Sequence, residues 1–161
     1  MNTNDYNQCV DDYSDGLYRF LLKNIKDSEL ARDLVQESFL RLWERRKKVD
    51  ALKSKSYLFT TGYHVMIDHL RKYSRMEVYE PSRHGENVNE GQYSDAAEIL
   101  NRAVDQLPVN QRSVVMLRDY EGYSYKEIGQ ITGFTESQVK VYIFRARVFL
   151  KKYLVNPEYV I

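Results

Sequence analysis

Apolar residues recur at helical spacing along most of this chain. Spacings of three and four residues predict a short helix over about residues 11–25, a longer one after Asp27, and a third over about 56–73. Two further helices are predicted over 96–107 and 108–120, ahead of a final helical pair. No stretch shows the convincing alternation of a β-strand, so the pattern predicts an all-α protein.

The pattern is interrupted at three places. The first ten residues are polar, and we expect them to be frayed. The run from Thr60 to Gly62 is weak for helix and predicts a kink or a break within the third helix. From about residue 75 to 95 a proline, two glycines and scattered acidic residues give no period, which is typical of a flexible linker.

Two small helical domains joined by that flexible linker are therefore expected. We place the domains at residues 1–75 and 98–161, with the linker over 76–97. With 161 residues, of which 43% are hydrophobic, the chain is long enough to bury a core in each domain.

The last helical pair has the features of a helix-turn-helix. Ser124 with Glu127, and Thr135 with Gln138, are spaced as two capping boxes that start two helices. Gly133 lies between the boxes, and glycine suits the left-handed conformation that ends a helix. The second helix has a buried apolar stripe at Val139, Ile143, Ala146 and Leu150, and an outer face at Lys140, Phe144, Arg147 and Lys151, with Arg145 beside them. A basic, partly aromatic outer face suits docking into the major groove of DNA.

The distribution of charge along the chain says more about function than the net charge does. The net charge of +1 argues against indiscriminate nucleic-acid binding. Residues 41–75 nevertheless carry ten basic and three acidic side chains, and residues 136–161 carry five and two. Residues 76–100 carry one basic and six acidic side chains. Two basic blocks separated by an acidic one predict two nucleic-acid contacts.

The composition also limits which bound groups and which cellular location we expect. Cys9 is the sole cysteine, so no internal disulfide forms, and three scattered histidines give no metal-ligand spacing. We therefore expect no cofactor and no metal. No apolar run approaches ~20 residues, and the N-terminus lacks a signal-peptide pattern. A cytoplasmic protein without membrane insertion is expected.

Three stretches resemble a known family, the extracytoplasmic-function (ECF) type of alternative sigma factor of bacterial RNA polymerase. Residues 33–44, DLVQESFLRLWE, resemble the polymerase-binding segment of the family's second conserved region. Residues 57–72, YLFTTGYHVMIDHLRK, resemble the segment that melts and reads the minus-ten promoter element. Residues 107–150 resemble the fourth region, which reads the minus-thirty-five element; their sequence is LPVNQRSVVMLRDYEGYSYKEIGQITGFTESQVKVYIFRARVFL.

The resemblance implies a promoter-specificity subunit rather than an enzyme. Such a protein binds core polymerase, directs it to specific promoters and promotes DNA melting. The implied partners are the clamp helices of the largest polymerase subunit, the polymerase flap, and promoter DNA as duplex and as melted single strand. Members of the family are commonly held by a membrane-linked anti-sigma partner, and the resemblance leaves open an anti-sigma factor or another recruiting protein.

The resemblance also assigns roles to individual positions. For contact with the clamp helices it implies Asp33, Gln36, Glu37, Leu40 and Trp43. For contact with minus-ten DNA it implies Tyr57, Tyr63, His64, Asp68, Arg71, Lys72 and Arg75, with Asp68 where the family's specificity loop holds a flipped-out base. For contact with the minus-thirty-five duplex it implies Gln138, Lys140, Val141, Phe144, Arg145 and Arg147.

The residues themselves allow less specific interpretations. Asp33 and Glu37 fit an ordinary solvated face, Trp43 and the aromatic residues of the third helix fit core packing, and Phe144 fits burial near Pro108. The family often has Ile-Ala-Arg-Asn at positions 61–64, where this chain has Thr-Gly-Tyr-His, so the preferred base stays open.

Two other functions compete with that of a sigma factor. A free-standing transcription regulator would bind a palindromic site without polymerase, but it has no use for the second basic block with its aromatic rings. A nuclease or recombinase would need clustered acidic ligands or a nucleophile beside a base, and the sequence presents neither.

Overall fold

The computed structural model describes the chain over residues 1–76 and 95–155. Two compact units divide the chain, Met1–Gly85 and Glu86–Ile161. Every regular element within the described residues is helical, which confirms the prediction of an all-α protein. Most of the predicted linker, 76–97, lies outside the described residues.

The first unit is a three-helix bundle. Its helices are α1 (Thr3–Ile25), α2 (Ser28–Glu44) and α3 (Ser54–Met76). All three pack against one another around a core that includes Leu17, Phe20, Leu21, Leu42, Leu58 and Phe59. The predicted start of α2 is confirmed, because Asp27 accepts hydrogen bonds from the backbone of Glu29 and Leu30. Between α2 and α3 the chain makes two short 3-10 turns, Arg46–Lys48 and Ala51–Lys53.

The prediction of a frayed N-terminus is wrong. Helix α1 begins at Thr3, behind a capping box in which the side chains of Asn2 and Asp5 each accept a hydrogen bond from the other residue's backbone. One turn later, the Tyr6 hydroxyl donates to the Phe39 carbonyl of α2 at 3.1 Å. Burial raises the pKa of that hydroxyl, and Cys9 adds to the shift, so it remains a donor at neutral pH. The polar N-terminal turn is ordered by its cap and by contacts with α2.

The predicted kink at Thr60–Gly62 is also wrong. Helix α3 runs without interruption through Gly62, which is buried. A Cβ atom at this position would lie 2.8 Å from Leu17 Cδ1 and 3.6 Å from Ser38 Oγ. Since Leu17 is fully buried, it has little room to yield. The glycine therefore allows α1 to approach α3 closely, which outweighs its poor helix propensity.

The described part of the second unit, residues 95–155, contains four helices. They are α4 (Asp95–Gln106), α5 (Val109–Asp119), α6 (Tyr125–Thr132) and α7 (Glu136–Val155). Helix α7 packs against the other three, and its Ala146 joins Leu107 and Val115 in a buried cluster. Helix α4 begins at Asp95, one residue before the start of the helix predicted over 96–107.

A buried arginine joins α5 to the end of α4. Arg112 is 5% exposed, and its guanidinium donates to the carbonyls of Val104, Asp105 and Leu107 at 3.2, 3.2 and 2.6 Å. Burial lowers the pKa of Arg112, while the nearby Asp105 opposes that shift. One side chain thus bonds two carbonyls in the last turn of α4, where a helix leaves carbonyls without intrahelical partners, and the Leu107 carbonyl just after it. The Val104 carbonyl also accepts the Leu107 amide at 3.1 Å.

Candidate DNA-binding and partner-binding surfaces

Helices α6 and α7 form the predicted helix-turn-helix. Both capping boxes are present: Ser124 and Glu127 exchange bonds of 2.8 and 3.1 Å, and Thr135 and Gln138 exchange bonds of 2.9 and 3.1 Å. Gly133 ends α6 in the left-handed conformation, with φ of 87°. Each of these local predictions is confirmed.

A second glycine shapes the turn between the two helices. A Cβ atom on Gly129 would lie 2.9 Å from the backbone oxygen of Phe134, which has no flexible end that could move away. The Phe134 ring packs at 5.1 Å from that of Tyr142 on α7. Gly129 therefore allows the turn to fold back on α6, a requirement that the sequence pattern alone did not show.

The outer face of α7 is open to solvent near its N-terminal half. Lys140, Val141 and Arg145 are exposed, and the Phe144 side chain is 68% exposed. The alternative of Phe144 buried near Pro108 is therefore wrong. Phe144 and Arg145 also line a shallow groove that continues along α7 to Val148, Phe149 and Lys152. Cationic and apolar side chains thus alternate on one accessible helix surface.

Two of the predicted DNA contacts already have partners within the chain. The carbonyl of Gln138 accepts the Thr135 amide in the capping box, so a bidentate contact with adenine would require the side chain to leave the cap. The Arg147 guanidinium lies 2.6 Å from Asp119 at the end of α5. Both side chains lie at the surface, but neither is poised for DNA without exchanging a partner.

Helix α2 presents an exposed leucine among polar residues. The Leu40 side chain is 55% exposed, and Asp33 and Gln36 are exposed on the same face. Glu37 is half-buried and forms a 2.6 Å ion pair with Arg41 one turn later. An apolar residue surrounded by polar groups is typical of the centre of a protein interface.

Trp43 lies at the end of that face and is half-buried. The centroid of the Tyr6 ring lies 4.9 Å from that of Trp43, with the planes at 70°. The Arg46 guanidinium lies 3.6 Å from the ring centroid, and its Nη1 also donates to the Trp43 carbonyl. Trp43 is thus held by Tyr6 and Arg46 while its side chain stays partly exposed.

The exposed predicted residues of α3 share one face. His64, Asp68, Arg71 and Lys72 are exposed at spacings of four, three and one. Tyr57 is half-buried, and the side chain of Arg75 lies outside the described residues. Tyr63 is 5% exposed, so its ring belongs to the core and cannot stack on a base in this conformation.

His69 on α3 was not among the predicted residues. Its Nε2 is buried and has no hydrogen-bond partner among the residues that the structure describes, and its ring contacts Tyr73 with 4.1 Å between centroids. Burial lowers the pKa of His69 and so does Lys72, whereas Asp27 raises it. The imidazole is therefore neutral at neutral pH, and its ring packs against that of Tyr73.

Comparison with known families matches both units. Residues 9–76 match the model of sigma-70 region 2, and residues 92–150 match that of sigma-70 region 4. The ECF RNA polymerase sigma factor SigM of Bacillus subtilis is 33% identical over 144 residues, which cover 86% of this chain and 88% of SigM. The chain belongs to the ECF sigma factors. Its function is accordingly promoter-specific transcription initiation with RNA polymerase.

Other relatives agree with this assignment. SigV of B. subtilis is 28% identical to this sigma factor, over 93% of this chain and 91% of SigV. SigX of the same bacterium is 29% identical, over 89% and 80%. The fold is similar to that of Bartonella quintana RpoE, crystallised with the anti-sigma factor NepR, with a TM-score of 0.79, 24% identity and coverage of 96% of this chain and 99% of that one.

Several basic residues of the block 41–75 are exposed close together in the segment between α2 and α3. Between α2 and α3, the two 3-10 turns and their flanks expose Arg45, Lys47, Lys48 and Lys53. Leu52 is 92% exposed among them. The excess charge of this segment is visible in the sequence, but the exposure of Leu52 is not, because short turns give no periodic signal.

The described part of this sigma factor contains neither a membrane-spanning helix nor a cluster of potential metal ligands. Over residues 1–76 and 95–155, no helix combines the length and the apolar character needed to cross a membrane. Over the same two ranges, no cluster of three or more histidine, cysteine, aspartate or glutamate side chains is placed to hold a metal ion.

Proposed function

We propose that this sigma factor divides promoter recognition between its two units. In the first unit, α2 binds core polymerase through the face around Leu40, and α3 holds the minus-ten element. In the second unit, α7 reads the minus-thirty-five duplex. The observation that carries the proposal is that exposed leucine and phenylalanine side chains, Leu40 and Phe144, lie on separate units at the positions that the family uses for these contacts.

Contact with polymerase through α2 follows from the spacing of its exposed residues. Gln36, Leu40 and Trp43 are four and three residues apart, so they form one stripe along the helix. A partner helix or groove recognises anchors at this spacing. Asp33 and Glu37 flank the stripe and would favour a basic partner surface, here the clamp helices of the largest polymerase subunit.

Reading of the minus-thirty-five element by α7 follows from side-chain chemistry. Lys140 and Arg145 can bind phosphates or the acceptor edge of guanine, and Val141 and Phe144 can contact a thymine methyl group. Gln138 and Arg147 contribute only where DNA displaces their present partners. In a helix-turn-helix the N-terminal residues of the second helix contact the base edges, so the first half of the 20-residue α7 makes these contacts.

Melting of the minus-ten element needs no energy source in this proposal. Arg71 and Lys72 on α3 hold the backbone of a single strand, and the half-buried Tyr57 offers its ring for stacking on an unpaired base. Because the protein binds unpaired bases more tightly than paired ones, binding shifts the duplex toward the open state. Tyr63 takes no part, since it belongs to the core.

The proposal extends to the setting of this function. The protein acts in the cytoplasm, catalyses no reaction of its own and needs no cofactor, as expected for a specificity subunit whose polymerase performs the chemistry. The polymerase flap is the second contact on the enzyme, and an anti-sigma factor or another recruiting protein is the further partner class. Family membership supports these statements.

Removal of Lys140 and Arg145, two of the exposed cations of α7, tests the assignment. We expect Lys140→Ala and Arg145→Ala each to weaken binding of a duplex selected from a random-sequence pool, because each removes a phosphate or guanine contact. Loss of a phosphate contact reduces the slope of log affinity against log salt by about 0.9, and loss of a base contact costs about 1–3 kcal/mol. Fluorescence anisotropy at several salt concentrations measures both quantities.

Arg102→Ala is the matched control for this experiment. Arg102 is an exposed arginine of the same unit, but it lies on α4 and pairs with Glu98. The control should bind the duplex like the unaltered protein, and all three variants should bind core polymerase normally. If the α7 variants lost polymerase binding instead, the proposed division of labour would be wrong.

A further inference from the structure

The N-terminal turn of α1 contacts the polymerase-facing end of α2. Tyr6 lies edge-on to two rings of α2, with centroid distances of 4.9 Å to Trp43 and 6.2 Å to Phe39. Its hydroxyl donates to the Phe39 carbonyl at 3.1 Å. Tyr6 is therefore tied to the last turns of α2 through ring contacts and a hydrogen bond.

Arg46 holds Trp43 from another direction. Its guanidinium lies 3.6 Å from the centroid of the indole ring, and its Nη1 donates to the Trp43 carbonyl at 2.8 Å. The bond to the Trp43 carbonyl anchors the guanidinium beside the indole, and the cation–π contact favours the ring orientation that faces it. Tyr6 and Arg46 together fix how much of the indole projects toward solvent.

We propose that Tyr6 is a positioning residue for polymerase binding, acting through Trp43. This inference rests on the proposed function of the α2 face. Trp43 lies three residues after Leu40 and seven after Gln36, so the indole extends the same stripe. A ring that is already held in its binding orientation loses less conformational freedom when the partner arrives.

The single tryptophan of the chain makes the proposal directly measurable. Since Trp43 is the only tryptophan, intrinsic emission reports on this ring alone. Tyr6→Leu removes the aromatic contacts and the hydroxyl, and we expect red-shifted emission and stronger acrylamide quenching. Tyr6→Phe removes only the bond to the Phe39 carbonyl and should retain near-normal emission.

Affinity for immobilised core polymerase is the functional readout. We expect Tyr6→Leu to weaken binding roughly five- to tenfold and Tyr6→Phe to restore most of it, because the ring contacts carry the effect. Tyr18→Leu is the matched control, as Tyr18 is a half-buried tyrosine of the same helix and lies twelve residues from Tyr6. It should alter neither Trp43 emission nor polymerase binding. Far-UV circular dichroism verifies that each variant is folded, and Tyr6→Met replaces Tyr6→Leu if the latter does not fold.

A double-mutant cycle separates positioning from a general loss of structure. With Trp43→Leu already in place, Tyr6→Leu should cause no further loss of polymerase affinity, since the residue through which it acts is gone. A full additional loss in that background would overturn the proposal. Unchanged polymerase affinity of Tyr6→Leu despite altered Trp43 emission would overturn it as well.

Failure of this inference and failure of the proposed function give different results. If Leu40→Asp weakens polymerase binding and Tyr6→Leu does not, the α2 face is the contact and only the role of Tyr6 is wrong. If Leu40→Asp leaves polymerase binding intact, the α2 face is not the contact, and the proposed function itself fails.

Discussion

Replacement of Arg112 with methionine is expected to destabilise the second unit by on the order of 3 kcal/mol. The guanidinium donates to three carbonyls at the end of α4, and methionine cannot replace any of these bonds. Hydrogen bonds from a charged donor are worth about 1.5–3 kcal/mol each, and relief from burying the charge offsets part of the loss. The end of α4 should therefore separate from α5.

The two units allow an internal control for this measurement. Far-UV circular dichroism during urea unfolding reports on both units, whereas Trp43 fluorescence reports on the first unit. We expect Arg112→Met to move part of the dichroism transition to lower urea while the fluorescence transition stays in place. Arg102→Met, at an exposed site on α4, should move neither. An unchanged dichroism transition would show that the buried bonds contribute little.

Leu40→Asp is expected to weaken core-polymerase binding by roughly thirtyfold or more, which corresponds to the ~2 kcal/mol of an interface hot spot. The substitution removes the apolar centre of the α2 face and adds a carboxylate about one turn after Glu37, on a face that already carries Asp33. The fold should persist, because Leu40 is exposed and the change costs α2 less than ~1 kcal/mol of helix propensity. Binding to immobilised core polymerase in the absence of DNA measures the effect.

Leu52→Asp is the matched control for Leu40→Asp. Leu52 is an exposed leucine of the same unit, but it lies in the 3-10 turn before α3 rather than on α2. It should bind core polymerase like the unaltered protein. Equal losses for the two variants would point to a general effect of added charge, and no loss for Leu40→Asp would remove α2 from the interface.

Features set by neighbouring residues could be predicted from the sequence. The capping boxes at Ser124 and Thr135 and the left-handed Gly133 depend on contacts within three or four residues, and all are present. The apolar stripe of α7 is likewise a local pattern, and Val139, Ile143 and Ala146 are buried as expected. Helix positions and the helix-turn-helix followed from such short-range information.

Features set by distant partners could not be predicted. The N-terminal turn is ordered because the Tyr6 hydroxyl bonds the Phe39 carbonyl, 33 residues away. Gly62 is accommodated in a continuous helix because a larger residue there would clash with Leu17 of α1. Arg147 pairs with Asp119, 28 residues away, and a sequence pattern shows only that both are charged.

The burial of Tyr63 shows the same limit of sequence-based prediction on the proposed minus-ten surface of α3. Its neighbour His64 is exposed while Tyr63 is buried. Both residues fit a ring cluster for single-stranded DNA, and only the packing of α3 against α1 and α2 decides which one reaches solvent. The roles of the exposed residues remain predictions that the variants described above will test.

Permanganate footprinting of promoter DNA tests the central claim most directly. Bacterial core polymerase, this sigma factor and a pool of promoter fragments are combined, and reactive thymines reveal where strands have separated. We expect reactive thymines around the minus-ten element of selected promoters only when polymerase and sigma factor are both present. Specific retention of DNA by the sigma factor alone, with no added reactivity when polymerase is supplied, would contradict it.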